Sequence, residues 1–368
     1  MALSATKEGT EKFFETHTIH PDKKRTLHSL AISAFAMGTY LGDCDEATDE
    51  HYENAIYDVV DGGVNFLDTA INYRCQRSER VIGRALKELE KKGISRDQIV
   101  ISTKGGFVPG DNDPEEYQNY VRHTYWETGI LQHGDLVEDC HCMTPRFLES
   151  EIETSLRNLD VDCIDLYYLH NPETQLPEIG EKEFDERVRK AFVLFETMVE
   201  KQKIKSYGVA TWYGFRQKPK NRNLLRLYKF IECAKDIAGD HHHFKAIQLP
   251  YNLVMLEAIK QKNQGIEDEE WTILDAAKEF NIDVMTSAPL MQSQVLNLPQ
   301  RLFDLMPGEE SKTQRAMQFV VSTPNINAAM VGMKTPKHVE ANLKILQEPD
   351  WALDQLKDVW KSLGIISK

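Results

Sequence analysis

The sequence predicts an α/β chain folded as a single-domain (β/α)8 barrel of the TIM type, and three observations predict it. Eight short apolar runs each end in polar residues, stretches of helical period separate them, and no G-x-G-x-x-G turn follows the first run. The runs are Ile32 to Gly38, Val64 to Asp68, Ile99 to Thr103, Ile164 to Leu169, Ser206 to Ala210, Ala246 to Leu249, Ile282 to Thr286 and Ala328 to Val331. Strands that read as continuous apolar runs belong to parallel sheets covered by helices, and eight of them suggest closure; a doubly wound open sheet is the alternative.

The connecting segments carry the helices. Val81, Ile82, Ala85, Leu86 and Leu89 share one face, as do Val188, Ala191, Phe192, Phe195 and Val199. The same period recurs in Ile273, Ala277 and Phe280, and in Val339, Leu343 and Leu346, with Thr335 and Pro336 as cap and first residue of that last helix. Residues 1–30 form an N-terminal extension. Residues 351–368, with Leu353, Leu356, Trp360 and Leu363 at helical spacing, form a helix lying across the barrel. The interval between the third and fourth strands is much longer than the others. Residues 107–144 are an insertion rich in Tyr, Asp, Glu and Gly, and loops of this length are often functional lids.

With 41% hydrophobic and 28% charged residues over 368 positions, the chain can bury a large core, which excludes disorder. No apolar stretch is long enough to span a membrane, and the first thirty residues lack an apolar signal core, so a soluble cytoplasmic protein is expected. The net charge of −14, unrelieved by a basic patch, argues against nucleic-acid and anionic-lipid partners. Six scattered cysteines read as reduced thiols. Cys140, His141, Cys142 and His133 are soft ligands, but adjacent side chains rarely converge on one ion, so no metal site is expected; His241 to His243 read as loop histidines.

Active sites of βα barrels sit at the C-terminal strand ends. Asp68 ends VNFLD, Lys104 ends IVISTK, His170 ends IDLYYLH, and Tyr73 lies five residues beyond Asp68. Any one of these alone is commonly a structural ion pair or a solvated loop residue. Together they make a general acid: a Lys beside a Tyr lowers the phenol's pKa, and an Asp fixes the Lys.

The segments FLDTAINYRCQRSERVIGRAL, VISTKGG, DLYYLHNPE, YGVATW, IQLPYN and STPNINAAMVGMKTPKHVEANL, in this order, resemble the aldo-keto reductase family over nearly the whole chain. The resemblance implies that Tyr73 protonates a carbonyl oxygen as hydride arrives from a nicotinamide dinucleotide, tuned by Lys104 and Asp68, with His170 orienting the carbonyl. It further implies cofactor contacts from Thr39, Asp68, Thr211, Gln248, Ser287 and Leu290. Gly332, Lys334, His338 and Asn342 would grip the adenosine end, where a 2′-phosphate favours NADPH over NADH.

The chain departs from the family where Ala210-Thr211 replaces Ser-Asn, where Ser287 replaces a stacking aromatic, and where Met291-Gln292-Ser293-Gln294 lacks the usual glycine; Ala341 replaces an acid. The insertion carries Phe107, Tyr117, Tyr120, Tyr125 and Trp126. Phe107 and Trp126 are expected to shape a substrate pocket with Tyr40 and Trp212, against the equal alternative that such aromatics only anchor the loop. The expected function is NADPH-dependent reduction of an aldehyde or ketone, a small-molecule carbonyl, or the reverse oxidation. The alternative is a nucleotide-binding sensor or auxiliary subunit with weak turnover.

Overall fold

In a computed structural model that describes residues 3–308 and 311–366, eight parallel strands close into a barrel. An antiparallel hairpin, β1 (Lys24–Leu27) and β2 (Leu30–Ser33), precedes them. The barrel strands are β3 (Phe35–Gly38), β4 (Phe66–Asp68), β5 (Val100–Gly105), β6 (Leu166–His170), β7 (Tyr207–Ala210), β8 (Phe244–Pro250), β9 (Asp283–Ser287) and β10 (Ala328–Gly332). They pair in chain order, and β10 closes the ring on β3. All eight expected strands are present.

Helices fill the connections. They are α1 (Lys7–Thr16), α2 (Glu46–Asp61), α3 (Arg77–Lys91), α4 (Tyr117–Val121), α5 (Pro145–Leu159), α6 (Leu176–Glu200), α7 (Leu227–Ala238), α8 (Glu257–Lys260), α9 (Ile273–Glu279), α10 (Gln300–Phe303), α11 (Lys312–Val321), α12 (Pro336–Leu343) and α13 (Leu353–Ser362). Val81, Ile82, Ala85 and Leu89 are buried on α3, and Val188, Ala191, Phe192 and Phe195 on α6, so the predicted faces are the inward ones. No helix of the described residues is long and apolar enough to cross a membrane.

Three expectations need correction. The run from Ile32 to Gly38 is not one strand: it changes partner at Ala34, whose N–H bonds Lys23 O (2.8 Å), and Ile32 belongs to the hairpin. Thr335 stands at the cap of α12 with Pro336 at its first turn, but the Thr335 side chain makes no capping bond. On α13 only part of the predicted stripe is covered: Leu356 is buried, Trp360 and Leu363 are half-buried, and Leu353 stays 50% exposed.

The hairpin explains the N-terminal end of the barrel. Leu27, Leu30 and Ile32 join the inward residues Ala36, Phe66, Val100, Leu166, Tyr168, Met285 and Met330 in one apolar cluster. Three of its polar bonds go to residues that begin strands or just precede them: His28 N–H to Asp283 (2.9 Å), Asn327 Nδ2 to Thr26 O (2.9 Å) and Ser33 N–H to Asn65 Oδ1 (3.0 Å). The barrel is therefore plugged at one end and open for chemistry at the other. Helix α1 lies against this end, where Gly9 is required: a Cβ there would stand 2.3 Å from Asp97 O.

Removing three carbons from a fully buried plug residue leaves a cavity that the closed barrel cannot collapse to fill. Ile32→Ala is expected to cost roughly 2–5 kcal/mol, read as a lowered urea midpoint, whereas Leu353→Ala on the exposed side of α13 should leave the midpoint nearly unchanged.

Candidate active site

The residues that end the apolar runs converge at the open end. Alternation along β5 puts Ser102 and Lys104 on the same inward face, opposite Asp68, which pairs in register with Ser102. Lys104 Nζ donates to Asp68 Oδ2 (2.7 Å) and to Thr69 O (2.6 Å), while Asp68 Oδ1 accepts from Ser102 Oγ (2.6 Å) and Gln248 Nε2 (3.1 Å). Thr39 Oγ1 reaches Asp68 O (3.3 Å) and Thr69 Oγ1 (2.9 Å). Lys104 is fully buried, and burial lowers its pKa against the opposing pull of Asp68.

Tyr73 follows on the loop after β4. Its ring centre is 5.3 Å from Lys104 Nζ, 4.9 Å from the Tyr40 ring and 6.0 Å from the His170 ring, both rings meeting it edge-on. The next three residues, Arg74, Cys75 and Gln76, all have left-handed backbone (φ 50°, 51° and 67°), which costs a non-glycine residue about 1–2 kcal/mol each. Arg74 bonded to Asp43 O (2.9 Å) and the Asp49 carboxylate, and Gln76 Nε2 bonded to Gly110 O (2.9 Å), hold this strained run.

The expected lowering of the Tyr73 phenol is not found. Burial raises it well above 10, and the Asp68 and Tyr40 charges push the same way. The Lys104 charge is already matched by Asp68, so burial decides, and Tyr73 is held protonated. His170 is pushed well below its ordinary value by burial, then by Lys104, and its buried Nδ1 has no partner.

A residue the sequence reading did not place in the site, His141, holds His170 from behind. Its Nε2 lies 2.7 Å from the carbonyl oxygen of His170, and Gln175 Nε2 bonds both His141 Nδ1 (3.1 Å) and His141 O (3.0 Å). A carbonyl can only accept, so Nε2 carries the proton and Nδ1 accepts from Gln175. Phe107 stands edge-on to both imidazoles, 4.9 Å from His141 and 5.2 Å from His170. Ser102 was also missed, although its position two residues before Lys104 was a usable signal.

The other predicted residues divide. The insertion is pinned at its neck by Val108 N–H to Cys140 O (2.8 Å) and Cys142 N–H to Gly106 O (2.8 Å). Within it Tyr125 donates to Glu151 on α5 (2.7 Å) and Tyr120 accepts from Gln76 (2.9 Å), so these two are anchors. Trp126 follows Tyr125 at the end of a π-helical turn, 40% exposed, and of the insertion's aromatics only Phe107 is in ring contact with a predicted catalytic residue. Trp212, 46% exposed, and Tyr40, 58% exposed, present open faces. The Trp212, Tyr213 and Gly214 N–H groups all bond the buried Glu173 carboxylate (2.7, 2.9 and 3.2 Å).

Thr211 begins the loop after β7, its Oγ1 buried without a partner. Ser287 ends β9 and Leu290 follows it, both half-buried, among left-handed Ala288, Met291, Gln292 and Ser293 (φ 51°, 46°, 52° and 67°). Gly332 ends β10 with open space beside its Cα, and Lys334 Nζ reaches to 3.1 Å from where a Cβ on Gly42 would stand. On α12, His338 is exposed and Asn342 is buried with Oδ1 unpartnered. Asp68, Tyr73, Lys104, His170, Gln248 and Thr39 thus form one cluster, and Gly332, Lys334, His338 and Asn342 a second segment at the end of β10.

This fold and site define a barrel oxidoreductase, and the chain belongs to the Aldo/keto reductase family, whose model matches residues 34–360. It is 29% identical over 338 residues to a putative voltage-gated potassium channel subunit beta of Schizosaccharomyces pombe, covering 86% of each chain. It is 27% identical over 334 residues to aldo-keto reductase YhdN of Bacillus subtilis, covering 85% of this chain and 83% of that one. Among solved structures, the holo form of aldo-keto reductase AKR11C1 from Bacillus halodurans matches with a TM-score of 0.64 at 20% identity, covering 92% of this chain and 95% of that one. An aldo/keto reductase from Klebsiella pneumoniae in complex with NADP and acetate matches with a TM-score of 0.64 at 18% identity, covering 94% and 97%.

Burial lowers His141 from 6.5 to about 4. The unfolded chain's imidazole takes its proton near pH 6.5 and the folded one only near 4, so the stability tied to neutral His141 is whole above 6.5 and lost as pH falls through 4. We expect the wild type to lose more stability than His141→Gln between pH 6.5 and 4, by up to about 3 kcal/mol, in urea melts at stepped pH. Other groups titrating in that range, His28 and Asp283 included, are common to both proteins and cancel in the comparison.

Proposed function

We propose that the chain is an NADPH-dependent reductase of an aldehyde or ketone, with Tyr73 as the proton donor. The observation that carries this reading is the placement of the half-buried Tyr73 ring beside Lys104, Tyr40 and His170, with Lys104 paired to Asp68. The residues fit a nicotinamide nucleotide on the same ground: Thr211 Oγ1, His170 Nδ1 and Asn342 Oδ1 are buried polar atoms without protein partners at the open end, which a polar ligand would satisfy. Gln248 and Thr211 would hold the nicotinamide end, and Gly332, Lys334, His338 and Asn342 the adenosine end. The bound nucleotide supplies the hydride.

The protein supplies the proton and the geometry. Tyr73 Oη–H donates to the carbonyl oxygen, and as negative charge gathers there the proton passes from Oη to that oxygen. Lys104, 5.3 Å from the ring centre and bonded to Asp68, fixes the floor on which the Tyr73 ring rests. His170, kept neutral by burial and by Lys104, offers an N–H to the same oxygen without competing as an acid. Tyr40, Phe107 and Trp212 would form apolar walls suited to a carbonyl carried on an aromatic or alkyl group. Trp126, away from the ring contacts of the site, is assigned no part in them.

The second reading, a nucleotide-binding auxiliary subunit with slow turnover, is favoured by Ala210 and Ser287, which remove contacts expected at the nicotinamide, and by the likeness to the Schizosaccharomyces pombe chain.

Loss of NADPH absorbance with aromatic and aliphatic aldehydes and a diketone separates the two. Tyr73→Phe is expected to cut kcat by about 100- to 10,000-fold while NADPH affinity stays near wild type. Tight NADPH binding with no turnover in the wild type supports the auxiliary reading instead. Lys334→Ala should weaken NADPH about tenfold, the worth of one charge-assisted contact, and leave NADH unaffected, as read by fluorescence titration.

A further inference from the structure

Outside the proposed reaction, two thiols meet at the rim of the site. Cys44 lies in the loop between β3 and α2, Cys75 two residues beyond Tyr73, and their Sγ atoms are 3.3 Å apart. Both are free and half-buried, within reach of a small solute; Cys142 and Cys163 are buried, and no other pair of sulfurs is in contact among the described residues. The geometry points to Cys44 and Cys75 as a reversible dithiol–disulfide site that takes a small-molecule disulfide as oxidant and staples the loop carrying Tyr40 to the loop carrying Tyr73.

The two loops are already fastened on both sides of the sulfurs. Arg74 Nε donates to Asp43 O (2.9 Å) and Arg74 Nη2 to Asp45 O (3.3 Å), so the residues flanking Cys44 are bonded to the neighbour of Cys75. Tyr52 Oη donates to Leu41 O (2.6 Å), and the Tyr40 ring rests on Tyr73. Closing the pair to a bonded separation of about 2.05 Å therefore needs an approach of only about 1.2 Å, shared between the two loops.

Either sulfur can open the exchange, and Cys44 is taken as the attacking one. Its thiolate attacks one sulfur of R–S–S–R, that bond breaks, and one thiolate leaves. Cys75 then gives up its proton and attacks Cys44 Sγ in the mixed disulfide, releasing the second thiolate. Two protein thiols are oxidised by two electrons, the small disulfide is reduced to two thiols, and these carry off both protons.

The consequence for turnover rests on the reductase reading. The new bond pulls on Cys75 inside the left-handed run that follows Tyr73, and a shift of about 1 Å at a proton donor can cost on the order of 100-fold in rate.

The full-length protein is incubated with oxidised glutathione, alkylated, digested and mapped, with NADPH oxidation followed in parallel before and after dithiothreitol. Wild type and a Cys233→Ser control are expected to yield one cross-linked peptide pair joining Cys44 to Cys75, lighter by two hydrogens, with a roughly 10- to 100-fold fall in rate that dithiothreitol reverses. Cys44→Ser and Cys75→Ser should keep their rate under the same treatment. Absence of the cross-linked pair, or glutathione retained on Cys44 as a stable mixed disulfide, overturns the site. A rate that falls equally in both serine variants overturns its link to turnover. A reduced protein without turnover on any carbonyl counts against the reductase reading alone, since the peptide map decides the pairing by itself.

Discussion

The ion pair between Lys104 and Asp68 is the constraint on which the open end of the barrel depends. Taking a lysine and an aspartate out of water costs several kcal/mol for each ion, and their attraction offsets this only when every remaining donor and acceptor is satisfied. Here the completing bonds come from Ser102 on β5, Gln248 on β8 and the Thr69 carbonyl. Strands β4 and β8 are four steps apart in a ring of eight, so Gln248 reaches Asp68 from the opposite wall. The pair is affordable only in the closed barrel, and the polar crossing it creates fixes Lys104 under the Tyr73 ring.

The two ends of the barrel are built on opposite principles. At the N-terminal end Leu27, Leu30 and Ile32 fill the barrel interior with apolar surface. At the C-terminal end the interior is polar, and the insertion above it is held both by packing, with Val108, Val121, Tyr125 and Leu131 in the main core, and by hydrogen bonds. The insertion takes part chiefly through its neck: His141 fixes the carbonyl of His170 and shares Phe107 with it, while Tyr120 and Tyr125 fasten the loop to Gln76 and α5. An insertion so anchored can vary in its outer residues without disturbing the histidine beneath.

Much of this was legible in the sequence because a parallel barrel writes itself as apolar runs, and the residue that breaks each run is the one left at the open end. Asp68, Lys104 and His170 were found in that way. The hairpin was hidden by the same logic, since Ile32 and Phe35 are equally buried and an apolar run does not show where a strand changes partner. The direction of the Tyr73 shift was misjudged because a sequence supplies neighbours but not burial: Lys104 is close, yet its charge is matched by Asp68, and desolvation decides. His141 had no signal of its own, being one histidine among several in a loop whose neck pairing is not written in any periodicity.

The two halves of the site also differ in how far the protein completes them. Around Asp68 and Lys104 nearly every polar atom is bonded within the chain, so this geometry stands without a ligand. Toward β7 and α12 the wiring is incomplete, with Thr211 Oγ1 and Asn342 Oδ1 buried and unpartnered. Beyond β9, Met291, Gln292 and Ser293 adopt left-handed backbone without glycine, at about 1–2 kcal/mol each. Unsatisfied buried groups and uncompensated backbone strain are costs that a ligand in contact can relieve, and here they lie on the side where the sequence departs from its family, at Ala210, Ser287 and the loop after them. The departures therefore weigh on the grip of that half, while the half around Asp68, Tyr73 and Lys104 keeps its arrangement through bonds that none of those positions makes.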